Sequence, residues 1–329
     1  MISADLLPAT VVAAAIGPAL LMLWLVVVAD ARPEPPRVVW AAVGLGALSA
    51  IVAAVIEIWL KLHLPAAADG SLAAIAENAV LLAGIPEESV KVPLIALIAL
   101  RSRDFDEPMD GIVYGAAVGL GFAALENIGY VAGTNHWGTI AAFRGVLSVP
   151  LHGAFGAIAG AYVARARFSG VLGGDHGSHW RRWRLFATAW LIAVVLHSAF
   201  DGTVFWIAAL GSDATPLTLL LGAVVALGIG FGTIGYAVVL ARRIARRQRE
   251  WAQTRRLPAA HWRDRWAECL FGAGTSFVAL MLVVAGGPLI KLIGAVLMGQ
   301  AARTTWRCAK DLNAAAHSRY RAAATAASG

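Results

Sequence analysis

Long apolar runs, separated by short polar segments, dominate the pattern along this chain. Residues 11–28 and 217–240 carry no charged side chain at all. Each run is about as long as the roughly 20 residues that cross a hydrocarbon core as a helix. Apolar and polar positions do not alternate as they do in barrel strands, so the pattern predicts helices, whose backbone groups are satisfied within the segment. Spans are expected at 9–29, 38–60, 71–100, 111–132, 145–164, 185–210 and 216–240. A further apolar stretch, 271–298, is interrupted by Gly286-Gly287-Pro288 and reads as one kinked span or two short pieces. The expected fold class is therefore an all-α, polytopic transmembrane bundle of about eight or nine membrane segments. It divides into an N-terminal helix pair (1–60), a core carrying the chemistry (61–241), and a basic linker with the last membrane segment or segments and a basic tail (242–329).

Composition agrees: 59% of the 329 residues are hydrophobic and only 14% are charged, against about a quarter charged in soluble domains. The net charge of +7 comes from arginines in alternate loops. Arg32 and Arg37 follow the first span, and Arg101 and Arg103 the third. Arg165, Arg167, Arg181, Arg182 and Arg184 follow the fifth, and a run from Arg242 to Arg256 the seventh. The intervening loops, 65–70, 133–137 and 211–215, contain no Lys or Arg. This is the positive-inside pattern, and it predicts a multi-pass protein of the cell membrane with its N-terminus outside. Lys61, at an outer span end, is the one mild exception. The basic residues do not form a nucleic-acid face. Ala29-Asp30-Ala31 resembles a cleavage site, but residues 1–10 hold no Lys or Arg, and the apolar run is too long for a signal peptide, so it reads as a retained span. Cys269 and Cys308 form no C-x-x-C and read as reduced, structural residues.

A charge at the bilayer centre costs about 2.5–3.5 kcal/mol even on the mildest scale, so ionisable residues inside spans are functional candidates. Pro86-Glu87-Glu88-Ser89-Val90-Lys91 interrupts the third stretch. Glu87 and Lys91 are four apart and can pair across a turn, leaving Glu88 aimed elsewhere. Pro86 marks a break, because about 30 residues are too many for one straight span. Glu126-Asn127 follows a glycine-rich run in which Gly115 and Gly119 form a face for close helix approach. His152 lies in the fifth span after Arg144 and Pro150. His197 and Asp201 stand one turn apart in the sixth, a carboxylate placed to orient an imidazole. Glu57, Glu77 and Asn78 lie near outer span ends and read as interfacial. Depth ties the group together: Glu126 is about 15 residues, some 22 Å, from the cytoplasmic end of its span, and His152 about 10 Å below the outer end of its own. Four helices thus present ionisable groups in one layer between midplane and outer surface.

Two histidines and a glutamate from three helices (Glu126, His152, His197) suit a Zn²⁺ with one open position. Glu87 or Glu88 could then serve as general base on water. A metal-free arrangement is also open, with a glutamate activating water directly and the histidines and Asn127 stabilising an oxyanion. The H-E-x-x-H helix of zincins is absent. The same residues also allow a proton- or ion-coupled transporter, although no inverted repeat is visible.

Glu87-Glu88-x-x-Lys91, Phe122-x-x-x-Glu126-Asn127, the His152 segment and His197-x-x-x-Asp201 together resemble the PrsW family of intramembrane proteases, within the wider CAAX-protease and bacteriocin-processing superfamily. Flanking residues are similar too: Asp110-Gly111, Tyr114-Gly115, Gly119 and Gly121-Phe122 before Glu126, and His152-Gly153 with Gly156-Ala157 after it. The resemblance spans about 81–205. It implies cleavage of membrane-anchored proteins, anti-sigma-factor-like substrates among them, with Glu87, Glu88, Glu126, His152 and His197 as the active site and Lys91, Asn127 and Asp201 in support. Family members are described as metalloproteases and the wider superfamily also as glutamate-dependent, so both mechanisms stay open. Residues 242–329 fall outside the resemblance.

Overall fold

A computed structural model of the chain describes residues 9–30, 34–64, 70–169, 172 and 179–254. The expected segment at 271–298, Trp262, Trp266, both cysteines and the basic tail lie outside the described residues. The described part is helical throughout: α1 (Ala9–Ala29), α2 (Pro36–His63), α3 (Leu72–Ala79), a π-helical turn (Val80–Gly84), α4 (Ile85–Arg101), α5 (Asp110–Ala132), α6 (Trp137–Val146), α7 (Ser148–Arg167), α8 (His179–Leu210) and α9 (Pro216–Thr254). Six stretches among these residues are long and apolar enough to cross a membrane: Val11–Ala29, Pro36–His63, Asp110–Ala132, Trp137–Arg167, His179–Asp213 and Pro216–Glu250. The polytopic all-α class is thus as expected.

Three boundaries differ from those expected. The third stretch breaks at the π turn, one turn ahead of Pro86. Pro86 has no N–H to give to the preceding turn and its ring crowds the carbonyl four residues back. The chain accommodates this by widening, and Ile85 N–H bonds to Val80 O, five residues earlier. The fifth span is preceded by a separate short helix, α6, so α7 starts at Ser148 and Arg144 sits on α6. Residues 242–254, expected in the basic linker, continue α9 as helix.

α5 and α7 form the centre, and both are buried along most of their length. α2, α1 and α4 pack on α5, while α8 and α9 pack on α7. Glycines set the α5–α7 distance. A Cβ at Gly115 would lie 2.1 Å from Gly156 O, and one at Gly119 would lie 2.0 Å from His152 O. The small-residue face expected at Gly115 and Gly119 is therefore the contact that brings α7 and its histidine against α5. Gly121 and Gly46 do the same for α5 and α2, against Val43 O and Val118 O. Large apolar side chains such as Leu48, Val55, Ile58, Leu217 and Val224 are exposed, as befits faces that meet lipid.

Candidate active site

Three of the four expected helices deliver ionisable residues to one buried cluster. Glu87, Glu88 and Lys91 come from the first two turns of α4, His152 from the start of α7, and His197 from the middle of α8. All five are buried. Lys91 Nζ lies 3.1 Å from Glu87 Oε2 and 2.7 Å from Glu88 Oε1. Glu88 is thus not aimed elsewhere. Lys91 is four residues from one carboxylate and three from the other, and its long stem carries the ammonium between them. The same ammonium donates to His152 Nδ1 at 3.2 Å and sits 4.0 Å from the Phe122 ring centroid.

The donor inventory then fixes protons. A lysine ammonium only donates, so His152 Nδ1 accepts and Nε2 carries the ring hydrogen. Nε2 lies 3.0 Å from Glu126 Oε2, so Glu126 is the acceptor that holds this tautomer. His197 differs. Its Nδ1 is 2.9 Å from Glu88 Oε1 and its Nε2 is 3.2 Å from Asp201 Oδ2. Both contacts are hydrogen bonds only when both ring nitrogens carry hydrogen. Lys91 and His197 are thus the positive partners of Glu87 and Glu88. Phe155 stacks on His197 at 5.2 Å, and the two histidine rings meet edge to face at 5.0 Å.

Glu126 sits slightly apart. Its carboxylate bridges His152 and the guanidinium of Arg144, whose Nη2 lies 2.7 Å away. Arg144 lies 3.7 Å over the Tyr130 ring. Sequence alone pointed to Arg144 only as a neighbour of His152, although an arginine in an apolar segment was the available signal. Asn127 does not join the cluster. It faces α1, where its Nδ2 donates to Ala15 O at 2.7 Å, because residues adjacent on a helix point about 100° apart.

A cavity of about 1070 Å³ reaches this cluster. Its wall includes Glu87, Glu126, His152, Asp201, Arg144 and Tyr130, with Glu57, Lys61 and Asn78 towards the ends of α2 and α3. Glu57 and Asn78, expected at an interface with water, face this cavity. Glu88 and His197 are not on its wall. Of the adjacent glutamates, only Glu87 meets the space.

Glu87, Glu88, His152 and His197 each offer a ligand atom within 4.8 Å of the others, so the four could hold a metal ion. Two carboxylates and two imidazoles suit Zn²⁺ in kind. The set differs from the expected trio in that Glu126 is replaced by the α4 pair, Glu126 being engaged by Arg144 and by His152 Nε2.

Fold and site define a polytopic helical membrane protein with a buried glutamate–histidine centre opening on an intramembrane cavity. A family model described as PrsW family intramembrane metalloprotease matches residues 34–229, and the chain belongs to that family. It is 38% identical over 135 residues to Protease PrsW of Geobacillus kaustophilus, covering 41% of this chain and 55% of that one. It is 46% identical over 86 residues to Protease PrsW of Bacillus subtilis, covering 26% and 38%. With Protease PrsW of Oceanobacillus iheyensis it shares 27% identity over 213 residues, 64% of this chain and 91% of that relative. The chain spans about half the length of the first curated relatives it matches. No solved structure matches.

Proposed function

We propose that this chain is an intramembrane peptidase that hydrolyses peptide bonds of membrane-anchored proteins. The observation that carries the reading is Glu87, which belongs to the buried four-residue group and also lines the cavity. A substrate segment and a water molecule entering the cavity can reach this carboxylate on its wall. Glu87 takes a proton from the water, whose oxygen attacks the peptide carbonyl. As the C–N bond breaks, Glu87 returns the proton to the leaving amine. Glu88 and Lys91 keep Glu87 in place. Glu126 keeps His152 Nδ1 turned inward, and Asp201 orients His197.

Of the four-residue group, Glu88, His152 and His197 would hold the metal that the family description implies, most simply Zn²⁺, with Glu126 acting on it through His152 and Glu87 left free as the base. A bound metal would polarise the carbonyl and lower the pKa of water. The substrate class is a protein with a single membrane anchor, anti-sigma-factor-like proteins included.

The test is cleavage of a co-expressed single-span substrate by the native chain and by Glu87→Gln, His152→Ala and His197→Ala, with metal content measured on the purified proteins. Loss of cleavage in all three, with membrane insertion retained, is expected. Bound metal that disappears in the two histidine variants assigns the cation. Undiminished cleavage by Glu87→Gln overturns the reading. Proton-coupled flux in liposomes that is sensitive to Glu87→Gln, with no peptide product, replaces it with a transporter.

A further inference from the structure

A second cavity, of about 850 Å³, lies at the other end of the bundle, where the C-terminal part of α7, the start of α8 and the far part of α9 converge. Its described lining is Arg165, Leu172, Arg181, Leu185, Arg243, Ile244, Arg246, Arg247 and Glu250. Among the described lining residues, five arginines stand against one glutamate. Glu250 is engaged by Arg246 at 2.9 Å. Arg165 and Arg181 are half-buried at the base, and Arg243, Arg246 and Arg247 are exposed at the rim. Arg165 also lies over the ring of Tyr162, whose hydroxyl bonds that of Tyr236 at 2.8 Å, so the base is built rather than loose. An anion shared among these arginines would offset the repulsion between their like charges.

We propose that this cavity binds the phosphate of an anionic phospholipid headgroup. Guanidinium groups match phosphate oxygens in pairs and exceed lysine at that task. Depth favours a lipid as the source. Arg242 and Arg243 follow the uncharged run of α9 that ends at Ala241, which puts the arginines at headgroup level. Trp180 and Trp183, both exposed at the start of α8, are the side chains that gather at that level. Leu172, Leu185 and Ile244 give the lining an apolar part that acyl chains can meet. Basic pockets between spans on the basic side of a membrane protein are suited to such headgroups. The proposal is independent of the peptidase reading, because no residue of this cavity belongs to the glutamate–histidine centre.

The test uses the full chain in lipid nanodiscs and measures its thermal unfolding. Discs of phosphatidylcholine are compared with discs of an equimolar mixture of phosphatidylcholine and phosphatidylglycerol. A higher Tm in the mixture is expected. That rise is lost in Arg165→Gln/Arg243→Gln/Arg247→Gln and kept in Arg182→Gln/Arg184→Gln, whose arginines are exposed outside the cavity. In detergent, short-chain phosphatidylglycerol is expected to bind the native chain, each of the three single substitutions weakening it about fivefold. The singles keep the test valid if the triple variant does not fold. Inorganic phosphate at the same concentration is expected to give no shift. An equal shift with inorganic phosphate would make the ligand a soluble phosphate, and an equal response of the two arginine sets would make it mere surface charge. Either outcome overturns the proposal.

Discussion

At the scale of single residues, the adjacent glutamates divide their work. Glu87 faces the cavity, while Glu88 lies behind it, bonded to Lys91 and His197. Glu87→Gln keeps an acceptor for Lys91 but removes the base and one buried counter-charge, at a position that meets the cavity. Cleavage should fall by about 10²–10⁴-fold, the usual contribution of a general base, with a smaller loss of Tm than at the enclosed Glu88. Glu88→Gln leaves Lys91 and His197 short of a buried counter-charge, a defect of about 3–5 kcal/mol, so its Tm in detergent should fall well below that of Glu87→Gln. Equal Tm values would contradict this division. Arg144 yields a second expectation. Its guanidinium is the cationic partner of Glu126, which in turn fixes His152. Arg144→Gln should reduce cleavage strongly, and Arg144→Lys should restore part of it by replacing the charge. A packing role alone would leave the two variants alike. Glu87, Glu88, Lys91, Glu126, His152, His197 and Asp201 were legible in the sequence because a charge inside an apolar run is too costly to persist without a role. Arg144, Asn127 and Glu57 were not. Their parts depend on which way a helix is rotated, and neighbouring helices set that.

At the scale of elements, the glycine contacts between α5 and α7 set the depth at which His152 meets Glu126. Gly119→Val places side-chain atoms where His152 O now sits. It should lower both Tm and cleavage. Gly228→Ala, in α9 with nothing within 4 Å of the added Cβ and off the wall of the hydrolytic cavity, should leave cleavage intact and raise Tm slightly, as alanine is the better helix former by about 1 kcal/mol. The glycine face could be read from a spacing of four, whereas the π turn could not. Pro86 announces a break, but whether the chain kinks, ends or widens is decided by what α8 packs against it. The α1–α2 connection carries its own expectation. Glu34 is buried there and accepts a hydrogen bond from Tyr114 Oη. Burial pushes its carboxyl above the ordinary 4.5, and Asp106 and Asp104 push the same way against the Tyr114 and Asp110 hydrogen bonds. A raised pKa means that the folded state keeps a proton the unfolded chain has released. The associated stability is complete below 4.5 and is lost as pH rises through the folded value. Tm of the native chain should therefore decline with pH above 4.5 more steeply than that of Glu34→Gln, which holds the neutral form throughout. Parallel profiles would remove Glu34 from the account.

At the scale of the whole molecule, the two ends of the bundle are chemically opposite, and this sets an expectation for which way it sits. The cavity that reaches Glu87 involves the far end of α2, the C-terminal half of α5, the start of α7 and residues 200–209 of α8. The arginine cavity involves the other ends of α7 and α8 and the extension of α9. On α8 alone, Arg181 and Asp201 are separated by 20 residues, about 30 Å of helix and so about one hydrocarbon thickness. Short loops rich in arginine are retained on the cytoplasmic side during insertion. The arginine end should therefore be cytoplasmic, the N-terminus outside, and the hydrolytic cavity open towards the outer half of the bilayer. Single cysteines in a chain with Cys269 and Cys308 replaced by serine can test this. Ser212→Cys, in the exposed turn after α8, should react with a membrane-impermeant maleimide in intact cells. Arg247→Cys, exposed on α9, should react only after the membrane is permeabilised. The reverse pattern would place the cavity mouth on the cytoplasmic side. Substrates would then reach Glu87 from within the cell, and the phosphate cavity would face the outer leaflet. Labelling therefore decides from which side of the membrane a substrate must approach.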